Sequence, residues 1–332
     1  MPTLRQDPTT KEWVIFATER AKRPHDFIKG AAYLKDEAGV STCPFCPGNE
    51  SETPPPILTV PGGNPAEWSV RVFPNRFAAL GPGKANKQKR VGSLYREMDG
   101  IGRHEVIVET QEHDQTLALM QEKRVLDVLK AYRQRYESLT QDPTIKVILI
   151  FKNHGESAGT SLKHSHSQLV ATPVVPKDIE RKYEVASSYY DDTGKCLYSE
   201  LVREEMAVKE RVVFQSDRFV VFHPYASRFP FETWIVPKEQ EPAFGNVSDA
   251  DLADLAQVLK STLWGLYTAL DNPDYNYIIH SGPVEKGQMG SSLWYIQIIP
   301  RLTKIAGFEL GSGTAINTTL PEETAEFMRR AR

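Results

Sequence analysis

Residues 153–173 of the chain run NHGESAGTSLKHSHSQLVATP. From His164 onward the segment reads as a strand that stops at Pro173. Alternate side chains of a strand share a face, so His164, His166 and Gln168 point the same way, with Cβ atoms about 6.5–7 Å apart. Three polar groups in a row are costly to bury unless something binds them. A solvated edge strand would also carry such residues, but Leu169, Val170 and Ala171 continue the strand into apolar core. Just upstream, Gly155, Gly159 and the hydroxyls of Thr160 and Ser161 supply a pliable loop rich in donors, which is what phosphate oxygens want.

Working outward, strands are expected at residues 13–17, 69–73, 105–109 and 145–151, and residues 38–68 read as loop. Between the last two strands, Val125, Leu126, Val128, Leu129, Tyr132 and Tyr136 recur at helical spacing and predict a helix over 121–139. The second half rehearses the first, with strands expected at 219–222, 233–236, 275–280 and 293–299 and a helix over 248–270. Residues 164–173 line up with 293–300: Tyr295 falls on His166, Gln297 on Gln168, and both segments end at proline. Such self-similarity points to an internal duplication. Strands cluster and do not alternate strictly with helices, which predicts an α+β fold on a largely antiparallel sheet.

Composition narrows the function classes. The 332 residues carry 40 Lys+Arg against 43 Asp+Glu, a net charge of −3, so the basic excess of a nucleic-acid binder is missing. With 40% hydrophobic residues the chain can bury a core, yet no run of about 18 apolar residues offers a membrane span. The N-terminus has no apolar signal segment, and three cysteines are too few for a disulfide scaffold, so a cytoplasmic setting is expected. Cys43-Pro-Phe-Cys46 bends two sulfurs toward one point, which suits tetrahedral Zn²⁺ or a redox dithiol. Pro44, Pro47 and Pro54–Pro56 leave no helix start for a redox site. Two incidental loop thiols remain the bland alternative. Cys196 reads as an inert, partly buried thiol, and His223 and His280 as structural histidines.

His164-Ser-His166-Ser-Gln168 followed by apolar residues resembles the active-site strand of the galactose-1-phosphate uridylyltransferase family, a branch of the histidine-triad superfamily. The resemblance spans nearly the whole chain: DPTTKEWVIF and RAKRP near the start, CPFCPGNE, VFPNRFAAL, PFETWIVP and GFEL. Ser165 and Ser167 depart from the family's usual Pro and Gly, and HSHSQ looks more like plant ADP-glucose phosphorylase. The resemblance implies two tandem histidine-triad-like halves. Residues 1–178 would carry the zinc knuckle and catalytic strand, and residues 179–332 a degenerate half for substrate contacts and dimerisation.

It further implies a nucleotidyltransferase of galactose and carbohydrate metabolism. His166 would attack the α-phosphorus of an NDP-sugar to give a nucleotidyl-histidine, which a sugar 1-phosphate or phosphate then relieves. Gln168 and Ser161 would assist, with UDP-glucose and galactose 1-phosphate as the leading substrates and ADP-glucose with phosphate as the alternative. A nucleotide hydrolase is disfavoured by Gln168 in place of a third histidine, and a non-enzymatic zinc module by the two histidines beside the Gly/Ser/Thr loop. Arg20, Lys22, Arg23, Asn75, Arg76, Asn153, Gly159 and Thr160 would hold nucleotide and phosphate, although the basic run also suits a plain solvated segment. Lys304, Phe308 and Glu309 would contact the sugar across a homodimer. One structural Zn²⁺ would sit on Cys43, Cys46, His164 and His113, with His104 the alternative third ligand. Leu293 and Ser199 stand where ligands of a second metal would be, so that site is expected to be missing.

Overall fold

The computed structural model describes residues 1–20, 27, 37–64, 67–83, 87–284 and 290–331. In chain order its strands are β1 (Thr3–Gln6), β2 (Trp13–Phe16), β3 (Leu58–Pro61), β4 (Trp68–Pro74), β5 (Lys89–Val91), β6 (Tyr95–Glu97), β7 (Arg103–Val108) and β8 (Val147–His154). They continue with β9 (His166–Thr172), β10 (Val212–Gln215), β11 (Phe219–Phe222), β12 (Thr233–Pro237), β13 (Tyr275–His280), β14 (Tyr295–Pro300) and β15 (Ile316–Asn317). The helices are α1 (Glu37–Val40), α2 (Glu122–Thr140), α3 (Lys177–Thr193), α4 (Leu197–Val208), α5 (Asp249–Ala269), α6 (Gly307–Ser312) and α7 (Pro321–Ala331). The fold is α+β.

Ten strands form one sheet in the order β10-β11-β12-β14-β13-β8-β9-β7-β4-β3, antiparallel throughout. Counting inward from either edge gives the same connectivity, and β8 and β13 meet at the middle. In each half one helix joins the third strand to the fourth: α2 between β7 and β8, α5 between β12 and β13. Registers agree as well. Phe73 opposes Val106 and Val106 opposes Gln168; Phe222 opposes Trp234 and Trp234 opposes Gln297. The repeat suggested by 164–173 and 293–300 is thus a repeat of topology and register.

Period-2 alternation sends one face of the sheet toward α2 and α5. There Val70, Val72, Ile107, Leu169, Val221 and Ile296 join Leu129, Tyr132, Leu255 and Leu259 in a single large core. The opposite face is covered differently in the two halves. Over β4 and β7 lies the cysteine knuckle, with Phe45 packed on Phe73 and Val106. Over β11, β12 and β14 lie α3 and α4, with Tyr198 and Val202 packed among Phe222, Trp234 and Tyr295. The expected strand at 145–151 instead runs to His154, because Asn153 and His154 pair with Asn276 and Tyr275 of β13.

Candidate active site

His166 opens β9 on the face under the knuckle, and its ring meets Phe45 edge-on at 5.2 Å. Its Nδ1–H donates to the carbonyl of His164 at 2.8 Å, so the lone pair sits on Nε2. Burial, with the Lys152 cation behind the strand, holds the imidazole below the usual histidine range, so the ring is neutral at pH 7. Two cavities meet at this ring. One, of about 760 Å³, is lined by Pro44, Phe45, Phe73, Phe77, Val106 and Gln168. The other, of about 320 Å³, is bounded by Asn153, His154, Gly155, Thr160 and Asp274. Ser161, Leu162 and His166 border both.

The glycine loop is held by the C-terminal half. Gly155 takes φ +85°, and a Cβ there would overlap the Asp274 carboxylate at 1.8 Å. That carboxylate accepts the Ser157 backbone N–H at 2.7 Å. Asn153 Oδ1 accepts from Asn276 Nδ2 at 2.8 Å.

On the other face of β9, Ser165 and Ser167 explain their own departure from proline and glycine. Ser165 donates to Glu109 Oε2 at 2.6 Å, and Ser167 donates to Glu109 Oε1. Lys152 Nζ reaches Glu109 Oε2 at 2.5 Å, Ser165 Oγ at 3.0 Å and the His166 carbonyl at 3.1 Å. Tyr132 of α2 donates to Glu109 at 2.9 Å and touches the hydroxyl of Tyr277 from β13. Burial pushes the Glu109 carboxyl up, but Lys152 and the hydroxyls outweigh it and hold the group below the usual carboxylate range. One buried carboxylate thus ties the strand on both sides of His166. The sequence hid this because Glu109 and Lys152 each look like an ordinary strand-end charge.

Cys43, Cys46, His113 and His164 bring their ligand atoms within 4.8 Å of one another. Cys46 Sγ lies 3.2 Å from His113 Nδ1 and 3.5 Å from His164 Nδ1; Cys43 Sγ lies 3.7 Å from His164 Nδ1. A tetrahedron with bonds of ~2.3 Å to sulfur and ~2.0 Å to nitrogen has S···N edges of about 3.5 Å, so the donor set fits. His164 donates Nε2–H to the Thr110 carbonyl at 2.8 Å and turns the Nδ1 lone pair to the sulfurs. Burial lowers its pKa to about 4, which keeps that lone pair available. Burial and the neighbouring Cys43 push the Cys46 thiol up to about 12, a cost that a central cation would reverse. His104 is not in this group; it lies on β7 beside Gln168.

The other sequence candidates divide. Asn75, Arg76, Ser161 and Gln168 border the large cavity; Asn153 and Thr160 border the smaller one, and Gly159 lies close by with φ +88°. Lys304, Phe308 and Glu309 line neither cavity of this chain. Phe308 is exposed, and Glu309 accepts the Ala306 and Ile316 backbone N–H groups around α6. Arg20 ends a 3-10 turn, and its side chain, with Lys22 and Arg23, lies outside the described residues. Cys196 is buried, with its thiol toward the Ser291 carbonyl. His223 bonds Thr324 at 2.7 Å, and Leu293 packs in the core under α3 and α4. Phe45, His154 and Asp274 were missed. Only His154 carried a signal, its place at the head of the glycine loop.

A neutral nucleophile with one nitrogen tethered and the other bare, set where two cavities meet, suits the passing of a phosphoryl-linked group from one oxygen to another. That is the chemistry of a nucleotidyltransferase. The chain belongs to the galactose-1-phosphate uridylyltransferase family: the N-terminal domain of galactose-1-phosphate uridyl transferase matches residues 1–176, and the C-terminal domain matches 177–311. It is 38% identical to ADP-glucose phosphorylase of Arabidopsis thaliana over 99% of this chain and 92% of that one. It is 28% identical to galactose-1-phosphate uridylyltransferase of Thermotoga maritima over 99% and 98%. The crystal structure of an Arabidopsis thaliana ADP-glucose phosphorylase with bound ADP-glucose superposes with a TM-score of 0.83 at 34% identity, covering 99% of both chains. No helix among the described residues is long and apolar enough to cross a membrane.

Proposed function

We propose that the chain transfers a nucleoside monophosphate from an NDP-sugar to a second phosphate through a covalent link to His166. The observation that carries this is the bare Nε2 of His166 at the junction of the two cavities, with Nδ1–H held by the His164 carbonyl. The Nε2 lone pair forms a bond to the α-phosphorus while the bond to the bridging oxygen breaks and sugar 1-phosphate leaves. An acceptor phosphate oxygen then attacks phosphorus and frees Nε2. The Nδ1 proton stays on its carbonyl throughout, and since a phosphate leaves and a phosphate attacks, no general acid is required. Gln168, Ser161, Gly159 and Thr160 hold phosphoryl oxygens; Asn75, Arg76, Phe45 and Asn153 flank the nucleotide, with Arg20, Lys22 and Arg23 assigned to its phosphates by resemblance.

The leading reading is uridylyl transfer from UDP-glucose to galactose 1-phosphate. A second reading, adenylyl transfer from ADP-glucose to phosphate, is favoured by the Ser165–Ser167 form of the strand and by the 38% identity to ADP-glucose phosphorylase. Cys43, Cys46, His113 and His164 would hold one Zn²⁺, which in a closed four-ligand site braces the knuckle against β9. The division falls at residues 1–178 and 179–332, and Lys304, Phe308 and Glu309 would serve the partner's site in a cytoplasmic homodimer. Incubation with NDP-sugars labelled at the α-phosphate should leave an acid-labile, base-stable label on the protein. Absence of label from both UDP-glucose and ADP-glucose would sink the proposal.

A further inference from the structure

The two halves contain the same glutamine in opposite settings. Gln168 opposes Val106, and His104 stands two residues before Val106; Gln297 opposes Trp234, and Glu232 stands two residues before Trp234. His104 and Glu232 are therefore equivalent positions, each diagonal to its glutamine, His104 on β7 and Glu232 immediately before β12. Glu232 is an acceptor. Its Oε1 takes Gln297 Nε2–H at 2.7 Å, so the Gln297 carbonyl is turned to His280 Nε2–H at 2.8 Å.

His104 is the reverse. The Ala79 backbone N–H donates to its Nδ1 at 3.0 Å, which leaves the ring proton on Nε2, 2.8 Å from Gln168 Oε1. Asn75 accepts the Phe77 N–H on its Oδ1 at 2.9 Å, and its Nδ2 lies 3.1 Å from His104 Nε2 and 3.5 Å from the same Gln168 oxygen. Both neighbours are donors, so Gln168 gives them its carbonyl and keeps its NH₂ for the cavity beside His166.

Resting on the assignment of His166 and Gln168 above, we propose that His104 is a positioning residue whose Nε2–H fixes the Gln168 amide with its NH₂ toward the phosphoryl oxygens in transfer. Glutamine has no charge to orient it, and one acceptor at this point would turn it round, as Glu232 does to Gln297. The pseudo-symmetric half thus shows the orientation that the working half avoids.

The test combines the labelling rate at saturating NDP-sugar with the ring tautomer. His104→Glu should slow labelling about 10²-fold, the scale of losing one donor to a developing oxyanion. His104→Leu should slow it about tenfold, and His104→Gln, which can still donate, should stay within about threefold. In a Gln168→Ala background all three should cost nothing further, because the residue they act through is gone. Donor affinity and metal content should stay at the wild-type level in each variant. Losses that repeat undiminished in Gln168→Ala, or equal losses for Glu and Gln, overturn the proposal. Nitrogen-15 NMR of the histidine rings should find His104 as the Nε2–H tautomer in the wild-type protein. An Nδ1–H tautomer refutes the orientation even if no NDP-sugar labels the enzyme, whereas an unlabelled wild type with the expected tautomer refutes only the transfer reaction.

Discussion

Strands β9 and β14 occupy the same place in their halves and carry related side chains, yet β9 borders two open cavities and β14 borders almost none. Tyr295, in the place of His166, stacks on Trp234 at 4.4 Å and on His280 at 4.6 Å, and lies tilted against Tyr198 at 5.5 Å. The space left there is about 40 Å³, against about 760 Å³ and 320 Å³ beside His166. The difference lies in what covers the sheet. Over β9 the cover is the loop that carries Cys43, Phe45 and Cys46, while two helices, α3 and α4, press apolar side chains onto β14. Sheet and register are shared; only the cover over β9 leaves room for a ligand beside the strand.

The largest effect should come from His166→Ala, which removes the nucleophile: labelling by NDP-sugar should fall by about 10⁴-fold or more. His166→Gly supplied with a nucleoside 5′-phosphoimidazolide should recover transfer to the acceptor. Wild-type labelling in His166→Ala would place the nucleophile elsewhere and dissolve the contrast with Tyr295. Next comes the cover. Cys43→Ser should lower the metal content from one Zn²⁺ per chain and cost roughly 4 kcal/mol of stability, the range of a lost metal site. Elemental analysis and thermal melting check this, and two metals per chain in the wild type would contradict the assignment of a single site.

A third, intermediate test is the pH profile of the first half-reaction. The folded pKa of His166 is depressed, so the neutral nucleophile persists as pH falls through the unfolded value near 6.5. The rate should hold its plateau below that pH and drop only at the folded pKa; the stability contributed by the neutral ring is lost over the same descent. A midpoint at or above about 6.5 would show that burial and Lys152 do not govern this imidazole. The smallest effect is expected in the silent half. Tyr295→Phe deletes the hydroxyl that accepts from Lys182 Nζ at 2.8 Å, which should cost ~1 kcal/mol and leave labelling unchanged. A changed labelling rate would mean that β14 takes part in transfer after all.

Period-2 placement of His166 and Gln168, the Cys43–Cys46 spacing and the helical stripe of α2 were legible because each is a local pattern with a local cause; the strand expected from His164 begins only at His166. The short strands β1, β3 and β10 and the helices α3, α4 and α7 were not drawn from the sequence. β1, β3 and β10 bury at most one residue each, unlike β2 and β11 of the same length, and α3 buries only Ala186 along its length. His113 and His104 could not be told apart by spacing, since both precede β9 by dozens of residues. The fold decides between them by placing one at the knuckle and the other at Gln168. Ser165 and Ser167 looked like mere departures from a pattern because their partners, Glu109 and Lys152, lie on two other strands.

The seam between β8 and β13 has a consequence for self-association. A sheet edge is a row of unpaired backbone groups that invites another chain, and β8, with Val147, Ile148 and Ile150 buried along it, would be a long apolar edge if its half stood alone. Fusing the halves spends both inner edges on each other. What remains outermost is β3 and β10, each four residues long and each broken by a register shift, between Val60 and Pro61 and between Val212 and Phe214. The C-terminal half thus covers the edge along which β8 would otherwise be free to pair with a copy of itself.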